Sequence, residues 1–389
     1  MTSLTAVIAA VLLTTSNTAA PISPWTVAPS PNPSLSANRP RGLAAPAADA
    51  VWSVGTWRDD ATGRQRTLTQ RWDGSAWRTV ASPGTPGGND NLTAVAGASP
   101  SQLWAVGFSA QSAYDPDSPA DPDRGVPLIL RGDGASWSVE PVEMLGAYGH
   151  LTAVDLTGPA DGWAVGSSAA GVGATPRGLI LRWNGSVWLP VAVPDTGTQP
   201  VHLTGVSATS TKDAWAVGYS GVLGSTAQAI VWHWNGQDWR QVDLGVDPGA
   251  QTVLFSVSAA SDGSVWAVGY RRAADRQVGY ALRWSGGVWQ TIPVAATDEG
   301  TQLRSVVAVP AGVWAVGYNV SRGVDNALIL SFNGAGLVKE ILPAPPIGRG
   351  NVAGTAVTAI AATTGAGELW AAGCLGHQTR MLRRDTGDR

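Results

Sequence analysis

Short apolar runs recur along this chain, and each is cut off by a cluster of Gly, Pro, Asn, Asp, Ser or Thr. Runs of that length between turn-forming residues predict β-strands. Within a run the alternation is of size as much as polarity. In "LWAVGFSA", a strand places Trp104, Val106 and Phe108 on one face and Ala105 and Gly107 on the other. After the first twenty residues no stretch carries a convincing helical period, so an all-β protein is expected.

The strands repeat. A Trp-x-[Val/Ala]-Gly signature occurs as "WSVG" at Trp52, as "WAVG" at Trp104, Trp163, Trp215, Trp266 and Trp314, and as "WAAG" at Trp370, seven copies spaced by 48 to 59 residues. Upstream of the signature lies a short apolar stretch, "LTAV" from Leu92 and from Leu151, "LTGV" from Leu203, "LFSV" from Leu254 and "LRSV" from Leu303. This is strand A, and the signature is strand B. A variable loop leads to a third run that closes on Asn-Gly or Asp-Gly, as in "LILRWNGSVW", "QRWDGSAW" and "WHWNGQDW", with "LRWSGGVW" and "LSFNGAGL" as weaker versions. Such dipeptides predict a two-residue type I′ hairpin between strands C and D. That register sets Trp183 opposite Ser186 and Leu181 opposite Trp188, with both indoles on one face.

Four strands in each of seven repeats predict a seven-bladed β-propeller, with the bulky face of one blade nested on the bare face of the next. The seventh repeat stops at Arg389 before any strand D, while "WTVAPSP" from Trp25 matches "WRTVASP" from Trp77 in the first repeat. The N-terminal segment is therefore expected to supply the outer strand of the last blade, near Met381 and Leu382. Residues 1–20 read as a secretory signal peptide with an uncertain cleavage site, because "LTAVIAAVLL" has the length of an h-region although no Lys or Arg precedes Arg39. Residues 21–389 are expected to form one propeller domain.

The order of these elements resembles a kelch repeat, whose second strand ends in glycine and whose third and fourth carry an aromatic, a turn and a Trp. It departs in having Val-Gly in place of a Gly pair. The "WNGSVW" turn is also similar to the Asp-box hairpin of sialidase-type propellers, one residue shorter between Asn184 and Trp188. The resemblance, to secreted bacterial propellers of this kind, implies fold more than activity, since propellers host lectins, scaffolds and enzymes.

Composition narrows the function. A net charge of -3 offers no footprint for nucleic acid or an acidic membrane surface. Lys212 and Lys339 are the only lysines, which reads as a coding bias toward arginine. Cys374 is the sole cysteine, so stability comes from packing. No stretch is long and apolar enough for a transmembrane anchor, and a secreted, extracellular or cell-envelope monomer is expected.

Recognition is expected on the face that carries the long B–C and D–A loops. Reading the residue just before each strand A gives Arg39, Asn91, His150, His202, Val253, Gln302 and Ala356. Of these Arg39, Asn91, His150, His202 and Gln302, with Tyr148, are candidate ligand-binding residues at a channel mouth. Trp57, off the repeat pattern beside Arg58, Asp59 and Asp60, is a candidate for stacking on a sugar, whereas Trp232 replaces a core Leu. His150 and His202 are candidate transition-metal ligands, and Asp115, Asp117, Asp121 and Asp123 a candidate calcium cluster; neither set requires a cofactor, and none is predicted. There is no G-x-S-x-G, H-E-x-x-H, P-loop or dinucleotide fingerprint. The expected function is a secreted, non-catalytic propeller that binds a glycan or an extracellular protein. The alternatives are an extracellular enzyme, either a metal-dependent oxidase or a glycan-active hydrolase, and a structural module of the cell surface.

Overall fold

In the computed structural model, the described residues are 24–110, 125–143, 146, 148–171, 173–249, 251–295, 300–321, 323–344, 354–364 and 367–386. They form seven four-stranded antiparallel sheets arranged as the blades of a propeller. Blade 1 comprises A (Asn38–Ala47), B (Ala50–Arg58), C (Gln65–Trp72) and D (Trp77–Thr79). The A strands of blades 2 to 7 are Asn89–Ser99, Tyr148–Gly158, Val201–Ser210, Thr252–Ala259, Gly300–Val309 and Thr355–Ala362. They begin before the apolar "LTAV"-type stretch, so Asn91, His150 and their counterparts lie inside strand A and not ahead of it.

The signature glycine has one structural cause in all seven blades. Strand A carries a bulge opposite it, for example between Leu92 and Ala94, where the pairing slips by one residue against Gly107 and Val106. The slip drives the carbonyl of the residue before Leu92 against the glycine. A Cβ on Gly107 would lie 1.9 Å from the carbonyl oxygen of Asn91, and the same conflict, at 1.8 to 2.0 Å, recurs at Gly55, Gly166, Gly218, Gly269, Gly317 and Gly373.

Between blades, indoles interlock. Trp104 of blade 2 stands 4.6 Å from Trp183 and 5.4 Å, edge-on, from Trp188 of blade 3. Trp163 meets Trp234 and Trp239, Trp215 meets Trp284 and Trp289, and Trp370 meets Trp72 and Trp77 in the same way. Each buried indole contributes on the order of several kcal/mol through removal of apolar area. A cation caps most of these indoles: Arg71, Arg131, Arg182, Arg283 and Arg383, each paired across from the signature Trp on strand C, lie 4.9 to 5.9 Å from its ring centroid. In blade 4, His233 takes this place and stacks on Trp215 at 4.2 Å. Coding bias alone therefore does not account for these arginines, because the flat guanidinium is what stacks on the ring. Trp232 is fully buried, as expected of a core position.

The ring closes as the sequence indicates. Thr26, Val27 and Ala28 pair with Arg383, Leu382 and Met381. Trp25 and Arg384 then occupy the two places that Trp188 and Trp183 hold in blade 3, and both approach Trp314 of blade 6. Glu340 ties the junction, accepting from Nε1 of Trp25, from Nε1 of Trp314 at 3.1 Å and from Arg384. Burial pushes the Glu340 carboxyl up, but the bonds from Arg384 and Trp25 outweigh it and hold the group below its ordinary value.

The hairpins differ from the predicted register. Trp183 pairs with Trp188 and Leu181 with Pro190, leaving four residues in the loop. Oδ1 of Asn184 accepts from the backbone N–H groups of Ser186 and Val187, both at 3.0 Å, and Gly185 takes φ +95°. Asp73, Asp133, Asn235 and Asn333 do the same in their blades. The Asn or Asp is there as a side-chain acceptor that caps the loop, not as a residue of positive φ. Only "LRWSGGVW" has the two-residue turn, with Ser285 opposite Val288 and Gly286 and Gly287 at φ +63° and +87°.

Candidate functional site

The bulge that fixes the glycine also aims one side chain per blade at the channel. Four of the seven are threonines, and each clasps two blades. Thr93 Oγ1 lies 3.0 Å from the carbonyl of Val106 in its own blade and 2.8 Å from that of Leu151 in the next. Thr152, Thr204 and Thr358 repeat the clasp, Thr358 reaching Pro40 of blade 1 across the closure. The remaining three positions carry Arg41, Phe255 and Arg304. All seven line both of the chambers into which the channel is divided, so the ring is the constriction between them.

The chamber toward the long-loop face has a volume of about 230 Å³ and is walled by Thr56, Asn91, Phe108 and His150 above the ring. Phe255 and Arg304 make one unit in the ring. The guanidinium of Arg304 stacks on Phe255 at 4.3 Å and stands 5.5 Å from the centroid of Tyr318, to whose hydroxyl it donates at 3.2 Å. Among the described residues no Asp or Glu lines this chamber. The opposite chamber, about 390 Å³, lies among the second halves of the A strands and contains Asp155. There the carboxylate accepts from the N–H groups of Leu156 and Ala208, and burial raises its pKa to about 6.

The expected site residues divide. Asn91 and His150 line the upper chamber. Asn91 is also built into the blade 1–2 junction, accepting from Thr56 at 3.0 Å. His202 is next to His150, their rings 6.5 Å apart and nearly parallel, with Ser167 Oγ 3.4 Å from a nitrogen of each. Its other face stacks on Tyr219 at 4.9 Å, and burial lowers its pKa to about 4, which keeps it neutral. Gln302 donates to Gln277, Arg39 pairs with Thr56 in blade 1, and Tyr148 pairs with Ala169 at the start of its A strand. Trp57 lies within strand B of blade 1, not in the loop beyond it. It is half-buried and donates Nε1 to the carbonyl of Thr67 at 3.1 Å.

Among the described residues no third His, Cys, Asp or Glu joins His150 and His202 in a group that could hold a metal ion. Asp115, Asp117, Asp121 and Asp123 lie outside the described residues. Among those residues, no helix is long and apolar enough to cross a membrane.

The ring was the feature that sequence reasoning missed. Its signal lay two residues further on, in the position after the Leu of strand A (Pro40 and Val357 in blades 1 and 7), which reads Arg41, Thr93, Thr152, Thr204, Phe255, Arg304 and Thr358. Attention to the residue before the Leu finds the mouth but not the constriction.

No protein-family model and no curated protein matches the chain. Solved structures do match in shape. The structure of "YCF48 bound to D1 peptide" is 14% identical, with 94% of this chain and 98% of that one covered and a TM-score of 0.56. YCF48 from Cyanidioschyzon merolae is also 14% identical, covering 93% and 98%, at a TM-score of 0.54. A polysaccharide lyase of family PL25, ulvan lyase, bound to -[GlcA(1-4)Rha3S]-, is 9% identical, covering 90% and 94%, at 0.53. At such identities the likeness is one of fold, and the chain is a seven-bladed β-propeller similar in shape to both kinds of protein.

Proposed function

We propose that this protein is a secreted, non-catalytic binding propeller that takes a glycan end group at the channel mouth on its long-loop face. The observation that carries this reading is the chamber above the ring. It combines amide, hydroxyl and guanidinium groups with the rings of Phe108 and Phe255, the mixture that holds a sugar by its edges and its apolar face. Among the described residues its lining offers no pair of carboxylates, which two-carboxylate glycoside hydrolysis uses. One solved neighbour is bound to a peptide and another to a unit containing glucuronate, so propellers of this shape are compatible with recognition.

A glycan array probed with the full chain tests the reading, with an Asn91→Ala, His150→Ala double variant and Trp57→Ala alongside. Binding that is lost in the double variant and kept in Trp57→Ala is the expected result. Failure to bind any glycan overturns it, and cleavage of a bound glycan overturns its non-catalytic part.

A further inference from the structure

The ring of bulge residues follows a rule and breaks it in three places. A threonine there serves the fold, since its hydroxyl joins the carbonyls of two adjacent blades. Arg41, Phe255 and Arg304 have no side-chain hydroxyl with which to make that clasp. A repeat protein that abandons a stabilising residue at equivalent positions places something else there for a reason other than stability. What replaces it is chemically coherent: two guanidiniums and a ring, at the narrowest part of the channel, with Arg304 fixed by Phe255 on one side and the Tyr318 hydroxyl on the other. Among the described residues no carboxylate pairs with Arg304, and the carboxylate of Asp155 in the opposite chamber is held by backbone N–H groups. A positive charge at the bottom of a narrow, low-dielectric cavity focuses field toward an incoming anion.

We propose that Arg304 forms a carboxylate clamp at the floor of the upper chamber and, resting on the glycan reading above, that the carboxylate belongs to a terminal uronate. A guanidinium presents paired N–H donors that match the two oxygens of a carboxylate. The chamber, at about 230 Å³, has the size for one end group and not for an extended chain. The acid enters first, toward the ring, and the rest of the glycan leaves across the long loops. The threonines of the ring hold their hydroxyls against backbone carbonyls, so the ligand meets fixed charge at Arg304 of blade 6.

The test is calorimetric titration of the full chain with a glucuronate-terminated tetrasaccharide, with the same oligosaccharide after reduction of its carboxyl to the alcohol, and with an acidic tetrapeptide. Arg304→Thr is the decisive variant, because it restores the residue that four other blades carry and lets the hydroxyl reach the carbonyls of Val316 and Val357. Loss of a charge-assisted bidentate contact is expected to weaken binding about 30-fold, both on carboxyl reduction and in Arg304→Thr. Arg304→Lys, which keeps charge without the fork, is expected to fall between the parent and Arg304→Thr. The Tm of Arg304→Thr is expected to equal or exceed that of the parent. Equal binding of the reduced sugar overturns the clamp and leaves the glycan reading in place. Binding of the peptide alone, with the same Arg304 dependence, overturns the glycan reading and keeps the clamp. No binding of any of the three overturns both, and a lowered Tm in Arg304→Thr with sugar binding intact makes Arg304 a structural residue.

Discussion

Asp155 and His202 pull stability in opposite directions over the same range of pH. Burial raises Asp155 to about 6, above its unfolded value of 3.8, so the folded state gains from its protonation and loses that gain as pH rises through 6. Burial lowers His202 to about 4, below its unfolded 6.5, so its contribution is complete above 6.5 and is lost as pH falls toward 4. In the parent the two slopes offset each other. Asp155→Ser is expected to be the more stable at pH 8, by on the order of 2 kcal/mol, and to lose most of that advantage by pH 4.5. Serine is already the residue at this place in the next two blades, where Ser207 and Ser258 accept the same inter-blade N–H bond. His202→Gln is expected to show the reverse, gaining on the parent as pH falls from 6.5. Thermal melts of the three proteins at pH 8, 6 and 4.5 read both effects, and parallel curves for parent and variants contradict the burial argument.

A bulge, a glycine and a channel-facing side chain form one device at the level of the element. Gly107→Ala places a Cβ 1.9 Å from the Asn91 carbonyl oxygen, backbone that cannot swing aside, and a loss of more than about 3 kcal/mol is expected in chemical denaturation. A smaller loss, below about 1 kcal/mol, contradicts the claim that the bulge is rigid. Asn184→Ala removes the acceptor for two loop N–H groups and is expected to cost about 1 kcal/mol, whereas Asn184→Asp, the residue at Asp73 and Asp133, is expected to leave the midpoint unchanged. The same elements show what a sequence conveys. Strand type and order were legible because apolar runs and turn residues alternate without exception. The C–D register was not, since Asn-Gly is equally compatible with a two-residue turn and with a longer loop capped by the Asn side chain; only the bonds from the backbone N–H groups of Ser186 and Val187 to the Asn184 side-chain oxygen distinguish them. The bulge was also hidden, because one unpaired residue leaves the Leu-to-Val spacing of strand A unremarked.

Across the whole molecule, the ring depends on closure. The match between "WTVAPSP" and "WRTVASP" located the outer strand of blade 7, and the pairing of Val27 with Leu382 places it there. What the sequence did not disclose is Glu340, a residue of blade 6 that binds Trp25 from one end of the chain and Arg384 from the other. Three groups distant in sequence carry no shared pattern, so only their meeting in space reveals the lock. Glu340→Gln leaves Arg384 buried beside a neutral partner and is expected to destabilise the protein by about 3 kcal/mol, with Arg384→Met in the same background restoring part of the loss. Melting of the single and double variants checks this, and an unchanged Tm in Glu340→Gln contradicts it. The channel site shares this dependence, because Thr358 clasps blade 7 to Pro40 of blade 1 beside Arg41.

Hydrogen–deuterium exchange of the peptide spanning Trp25 to Ala28 tests the closure most directly. Slow exchange, comparable to that of the strand formed by residues 378–385 on which it pairs, is the result expected here. Complete exchange of Trp25–Ala28 within seconds, with the rest of the seventh blade still protected, would contradict it.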